Sequence, residues 1–294
     1  MKIVSFKEVV KENTVLALGY FDSVHIGHKV LLKNAVLLSK KLNATPTALI
    51  FTGNFKGNGE VFSFTERIKR LENEGIERVV YAELTGEFLK TSSDDFINVL
   101  FKTINVKALV CGEDFTYGKN ALGNVKTLLE KCNESGVELS VVNKVVDNSG
   151  NKISTYTIKN LLLAGNVKKA NELLGDNYFI SGEVIKGKRL GNVIGFPTAN
   201  IKIDESKTPL KRGVYKTEVI INGVKYKAIT NVGTQPTVNG NNEVIETYIN
   251  DYCGDLYGVN LTVYFIDFMR DIIKFNSVEE LKAQLLEDKR SLYD

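Results

Sequence analysis

This 294-residue sequence predicts an α/β half followed by an all-β half, on three observations. Up to about residue 146, short apolar runs alternate with stretches of helical periodicity, the pattern of a parallel sheet with helices on both faces. From residue 179 onward strand-like runs follow one another through hairpin turns, which implies a small antiparallel β-barrel. A capping-box pattern, Ser277-Val278-Glu279-Glu280, then opens a closing helix. The length suits two domains rather than one. We expect a first domain over residues 1–158, a linker helix over 159–177 and a second domain over 178–294.

The elements follow in order. Residues 15–18, Val-Leu-Ala-Leu, predict a buried strand and 28–42 a helix; 45–51 and 78–83 predict further strands around a helix over 64–74. Ser92 and Ser93 supply side-chain oxygens for capping a helix that runs to about Thr103. Strands over 107–111 and 137–146 enclose a helix over 122–135. After a helix over 158–174 come strands over 179–185, 214–221, 224–230, 243–249 and 261–266. Asn222-Gly223 between two of them is the favoured dipeptide of a type I′ hairpin. Residues 53–59 read as a glycine-containing loop that matches no phosphate-loop pattern.

Composition removes several function classes. The net charge of +3 arises from 38 basic and 35 acidic residues, so the chain lacks the electrostatic footprint of a nucleic-acid or anionic-membrane binder. Three cysteines, Cys111, Cys132 and Cys253, lie far apart without metal or disulfide spacing, which implies reduced thiols and a cytoplasmic protein. The sequence begins without a signal-peptide apolar core, no apolar run approaches membrane-spanning length, and nothing points to an obligate protein partner.

Both histidines of the chain fall in Gly19-Tyr20-Phe21-Asp22-Ser23-Val24-His25-Ile26-Gly27-His28, between a strand and a helix. A helix N-terminus presents free N–H groups and a positive dipole end, which suit phosphate. Imidazoles there can donate to charge developing on a transferring phosphoryl group. The pair also has a structural reading, and a metal reading that lacks a third imidazole or thiolate. Further on, Gly112 and Gly118 bracket a loop at a strand's carboxyl end, where ligands of parallel sheets bind; Asp114 within it also reads as a turn former.

In the second half Gly182, Gly187, Gly191 and Gly195 lead into Phe196-Pro197-Thr198-Ala199-Asn200. Glycine lets the backbone come close enough for its N–H groups to face phosphate. Thr198 and Asn200 carry oxygens suited to a hard cation such as Mg²⁺. The basic run Lys186, Lys188 and Arg189 suits a small polyphosphate. Strand alternation puts Glu246 on one face with Val244 and Tyr248.

These segments resemble a known family. Gly195-Phe196-Pro197-Thr198-Ala199-Asn200 resembles the nucleotide-binding segment of riboflavin kinases, as do Asn231 to Thr237, Gly254-Asp255-Leu256-Tyr257-Gly258, and Arg270 with Phe275. His25-Ile26-Gly27-His28 is similar to the His-x-Gly-His signature of the nucleotidyltransferase superfamily. The loop from Gly112 through Asp114 and Phe115 to Gly118 resembles that of bacterial FAD synthetases, with Gly123-Asn124 at their Gly-Asp. The resemblance, to the bacterial bifunctional riboflavin kinase/FAD synthetases, covers nearly the whole chain in the right domain order. It implies a Rossmann-like nucleotidyltransferase domain and a riboflavin kinase barrel, acting on riboflavin, FMN and ATP with Mg²⁺ and giving FMN and FAD.

By the same resemblance Glu246 is the base for the flavin 5′-hydroxyl, and Thr198 and Asn200 hold the metal. Gly187, Gly191, Gly195 and Pro197 shape the nucleotide loop. Gly19, Phe21, Asp22, Gly27 and Lys159 join His25 and His28 around phosphate. Gly112, Asp114, Phe115 and Arg270 contact flavin or nucleotide. The chain departs from the family at Ser23, where glycine is usual, and at Phe51-Thr52-Gly53-Asn54-Phe55, where prolines are usual. It departs again at Ile153-Ser154-Thr155-Tyr156-Thr157-Ile158-Lys159, which lacks two arginines of the family and has Lys159 at the second. Lysine is a flexible point charge where arginine grips phosphate bidentately. The alternative readings are a kinase with a degenerate first domain and a non-catalytic flavin or RNA binder.

Overall fold

Alternation in the first half folds into a six-stranded sheet in the unit Met1–Thr155. The computed structural model describes residues 1–53, 59–187, 194–237 and 240–293, with backbone alone over 234–237 and 240–243. Asn54, Phe55, Lys188, Arg189 and Gly191, singled out above, lie outside the described residues. The strands of the unit are β1 (Lys2–Ser5), β2 (Val10–Leu18), β3 (Thr45–Thr52), β4 (Arg78–Glu83), β5 (Ile104–Gly112), β6 (Thr116–Tyr117), β7 (Gly123–Asn124) and β8 (Glu138–Val142). Its sheet runs β1-β4-β3-β2-β5-β8 with every pairing parallel, while β6 and β7 form a separate small hairpin. Helices α1 (Ile26–Lys41), α2 (Phe64–Asn73), α3 (Ser93–Thr103) and α4 (Val125–Ser135) fill the crossovers.

Two apolar clusters cover the two faces of the sheet. Leu31, Leu32 and Ala35 of α1 and Leu71 of α2 pack on Val15, Ala17, Ala48 and Ile50. Phe96, Ile97 and Leu100 of α3 and Leu128 and Cys132 of α4 pack on Leu16, Leu18, Leu49 and Leu109. Ser92 caps α3 by accepting the Asp95 N–H at 3.0 Å, as its position predicts. The chain leaves β2 toward β3 on one side and returns at β5 on the other. That reversal brings the loops after β2 and β5 together at the carboxyl edge, where ligands of such sheets sit.

The single helix expected over 158–174 is two, α5 (Thr155–Leu163) and α6 (Val167–Leu174). Gly165 at φ +79° breaks it, and a Cβ there would lie 2.9 Å from Lys211. Asn166 then restarts the helix, its side chain accepting the Lys169 N–H at 3.2 Å.

The second unit, Tyr156–Asp294, is built on a closed antiparallel barrel in the order β10-β13-β12-β11-β14-β9. Its strands are β9 (Phe179–Ile185), β10 (Thr198–Lys202), β11 (Gly213–Ile221), β12 (Val224–Thr237), β13 (Gly240–Ile249) and β14 (Asn260–Arg270). Asn222 and Gly223 take φ of 51° and 80°, as a type I′ turn requires. Ile201, Val219, Val232, Ile245, Val263 and Phe265 fill the interior. A chain of hydroxyls satisfies its polar groups, Thr217 to Thr230 at 2.8 Å and Thr230 to Thr247 at 2.9 Å. The closing helix is α7 (Val278–Arg290), with Ser277 accepting the Glu280 N–H at 3.2 Å. Glu280 itself accepts the N–H of Asn276 rather than completing a box with Ser277.

Candidate active sites

At the switch point of the parallel sheet lies a cavity of about 250 Å³, lined among others by His25, Gly27, His28, Gly112, Asp114, Lys144, Lys152, Ser154 and Thr155. His25 is the N-cap of α1: its Nδ1 accepts the His28 N–H at 3.1 Å. That bond fixes the neutral tautomer, leaving Nε2–H as the donor. The two rings stack at 3.7 Å and 7°, and the Phe21 ring meets His28 edge-on at 5.1 Å. Burial pushes His25 down to about 4, with Lys152 adding to it and Asp114 opposing. Burial, then His25 and Lys152, hold His28 well below its usual value. Both rings are therefore uncharged donors at neutral pH. His28 Nδ1 is buried with no hydrogen-bond partner among the described residues.

Lys152 lies in ion-pair contact with Asp114, whose carboxyl that bond holds below its ordinary range. Lys144 pairs with Glu113 at 3.1 Å. Two ammonium groups and the N-terminus of α1 thus border one cavity, the equipment for a polyphosphate. The loop that carries the histidines is strained. Phe21 and Val24 take φ of 47° and 43°, and both are fully buried. Such conformations cost about 1–3 kcal/mol each and persist only where the surroundings enforce them.

Several residues named above are not among the lining of this cavity. Asp22 accepts the Val61 N–H at 2.7 Å, and the Phe21 ring lies over Gly19. Phe115 stacks on Tyr117 at 5.8 Å and joins the core. Asn124 caps α4. Lys159 lies on α5 in the second unit. Ser23, in place of the family's glycine, fits without strain because its buried hydroxyl bonds the Thr155 hydroxyl at 2.9 Å. Lys144 and Lys152 escaped the sequence reading; the one available signal was Lys152 standing directly before Ile153-Ser154-Thr155.

In the barrel, register assembles the second site. Asn200 pairs with Glu246, Glu246 with Asn231, Asn231 with Val214, and Val214 with Arg270. Directly opposed residues share a face about 5 Å apart, so one row crosses five strands on the outer wall. A cavity of about 310 Å³ covers the row from Glu246 to Arg270, with Thr198, Asn231, Glu246, Tyr248 and Arg270 on the wall and Phe275, Leu281 and Leu285 among its apolar lining. Arg270 donates to both carboxylate oxygens of the buried Asp288 on α7, at 2.9 and 2.7 Å. Such bidentate pairs are the strong class of charge-assisted bonds. Thr198 also borders a second cavity of about 320 Å³ with Pro197, Asp255 and Tyr257.

Asn200 is 6% exposed, and its Oδ1 is buried with no partner among the described residues. Gly187 lies against that amide, where a Cβ would be 2.4 Å from Nδ2. An orphaned amide oxygen two residues along β10 from the Thr198 hydroxyl, on the same face, fits a hard cation. Gly195, at φ +82°, bends the chain into β10.

A parallel sheet with a histidine cavity at its switch point and a barrel carrying an oxygen-rich, carboxylate-bearing wall define a two-domain nucleotide-using transferase. A family model described as FAD synthetase matches residues 7–157, and one described as riboflavin kinase matches residues 174–293. The protein of Listeria monocytogenes named bifunctional riboflavin kinase/FMN adenylyltransferase is 31% identical over 95% of this chain and 91% of its own length. Its namesake in Bacillus subtilis is 32% identical over 94% of this chain and 90% of its own length. A solved structure described as a macrolide-efflux protein from Streptococcus pneumoniae matches at a TM-score of 0.89 and 30% identity, covering 100% of this chain and 99% of that one. The chain belongs to the bifunctional riboflavin kinase/FMN adenylyltransferase family. No helix among the described residues is long and apolar enough to cross a membrane.

Proposed function

We propose that the chain converts riboflavin to FMN on the barrel and FMN to FAD at the histidine cavity, each with one ATP. The observation that carries the kinase half is Glu246, paired in register with Asn200 and Asn231 and lining, with Asn231, a largely apolar cavity. The flavin ring system lies against Phe275, Leu281 and Leu285 with its ribityl 5′-hydroxyl toward Glu246. Glu246 takes the proton as the hydroxyl oxygen attacks the γ-phosphorus, and ADP leaves. Thr198 borders both barrel cavities, so the nucleotide approaches from the Pro197 side. The Thr198 hydroxyl and Asn200 Oδ1 would hold Mg²⁺, which when bound neutralises charge developing on the phosphates.

In the first unit the FMN phosphate attacks the α-phosphorus of ATP, and pyrophosphate leaves. His25 and His28 donate hydrogen bonds to the reacting phosphates from uncharged rings. We give Lys152 the phosphate contact expected of Lys159, because Lys152 borders the same cavity as the histidines. Lys152 then exchanges its ion pair with Asp114 for the incoming polyphosphate. Matches to both family models support two activities over a kinase with a degenerate partner domain. The exposed free thiol of Cys253 supports a reducing, cytoplasmic setting.

Chromatography of flavins after incubation with riboflavin, ATP and Mg²⁺ tests the reading. FMN together with FAD is expected. FMN accumulating without FAD would leave a kinase alone, and absence of FMN would remove the central assignment.

A further inference from the structure

The strained histidine loop has a buried cation beneath it that neither reaction uses. Arg70, on α2, is 5% exposed, and its guanidinium lies over the Phe62 ring at 4.5 Å. Its Nη2 donates to the carbonyl oxygen of Val24 at 3.2 Å. Val24 is the residue directly before His25, and its φ of 43° is one that a β-branched side chain adopts only under constraint. The direction of the peptide between Val24 and His25 decides where the His25 ring goes. That ring in turn caps α1 and stacks on His28. A guanidinium held from below by an aromatic face and fixed on this carbonyl is therefore set to keep the loop in its left-handed turn.

We propose that Arg70 is a positioning residue for adenylyl transfer, acting through the Val24 carbonyl to hold the two imidazoles in their stacked arrangement. The inference rests on the reading that His25 and His28 serve that reaction. It predicts that Arg70 affects the turnover number rather than ATP binding, since the polyphosphate is gripped by other groups. A misplacement of the order of 1 Å at reacting groups lowers rates about 10²-fold.

The test uses the full chain, which contains two histidines and so gives two imidazole signals in side-chain NMR. Arg70→Met is expected to move both signals and to lower kcat for FMN adenylylation on the order of 10²-fold, with the KM for ATP little changed. Arg70→Lys, whose ammonium can still donate one bond to the carbonyl, is expected to recover most of the rate and the wild-type signals. Riboflavin phosphorylation by the same samples is expected to stay at the wild-type rate. Full adenylylation by Arg70→Met, or lost activity with both imidazole signals unmoved, would overturn the proposal.

If Arg70→Met does not fold, Arg70→Lys decides: a reduced rate with unshifted signals overturns it. Val24→Gly supplies an independent check, because glycine takes this φ without strain. Adding Arg70→Met to Val24→Gly must then cost less than Arg70→Met alone, and an equal cost counts against the mechanism. His28→Asn, measured in parallel, separates the two levels. Normal adenylylation by His28→Asn removes the catalytic reading of the histidines. An inactive His28→Asn beside a fully active Arg70→Met removes only the role of Arg70.

Discussion

Replacing Asn200 by leucine tests the proposed Mg²⁺ ligand by separating its cost to the fold from its use. Asn200 is 6% exposed, its Oδ1 has no partner among the described residues, and its Nδ2 reaches the Thr198 carbonyl at 3.5 Å, the outer limit of a hydrogen bond. An unsatisfied buried acceptor costs about 1–3 kcal/mol, and an apolar group of the same outline removes that cost. Gly187 against the amide limits the gain, because methyl groups need more room than oxygen and nitrogen and overpacking costs about 1–3 kcal/mol. The ligand-free leucine variant should therefore lie within about 2 kcal/mol of the wild type in either direction. With Mg²⁺ and ADP at about a hundred times their dissociation constant the wild type gains about 2.7 kcal/mol, which the variant forfeits. For a unit of this size that gain is worth roughly 8–13 °C. Differential scanning calorimetry with and without Mg²⁺-ADP should show an upward shift in the wild type that the variant lacks, while FMN formation by the variant is lost. A variant destabilised without ligand by more than about 2 kcal/mol, or one that keeps the Mg²⁺-dependent shift, would refute the ligand assignment.

Three further outcomes follow from the two sites. Glu246→Gln should abolish FMN formation and leave FMN-to-FAD conversion measurable; near-normal kinase turnover would remove its role as base. Lys152→Ala should lower the rate of adenylyl transfer on the order of 10²-fold, more than Lys159→Ala does, in a direct comparison of FAD formation from supplied FMN. The buried histidines make stability depend on pH with a definite sign. His25 has its folded value near 4, below the usual 6.5, so the unfolded chain binds the extra proton between those values. Its contribution is complete above 6.5 and is lost as pH falls toward 4, at roughly 1 kcal/mol per pH unit, and His28 acts in the same direction. Urea midpoints measured from pH 7 down to 4.5 should fall accordingly and fall less in His25→Asn, which retains a capping side chain.

Local signals carried most of the architecture. Strand β4 begins and ends where its apolar run does, and Ser92, Ser277 and Asn222-Gly223 serve as the cap, cap and turn their chemistry implies. The same holds for Glu246, because strand alternation is a two-residue rule that needs no partner. Strand β10 was harder to see, since the glycines and Pro197 before it read as loop; only the barrel shows why Thr198 and Asn200 face one way. Lys152 and Arg70 were silent for a different reason. Lys152 meets Asp114 across 38 positions, and Arg70 meets Val24 across 46, pairings that exist only after the sheet has reversed direction. The break at Gly165 was passed over because one glycine in a helical pattern is usually tolerated.

The row from Asn200 to Arg270 has a consequence for how the kinase site can change over evolutionary time. In a closed barrel every strand is registered against two neighbours, so no strand can slide without breaking both seams. One residue inserted within β10 would turn Ala199 and Ile201 outward in place of Thr198 and Asn200, and one inserted within β13 would hide Glu246. Length variation is confined to the turn at Asn222-Gly223 and to the connections between strands. Homologues should therefore differ across this wall by replacement alone, and the distance from the Thr198 and Asn200 oxygens to the Glu246 carboxylate should be inherited as strictly as the barrel itself.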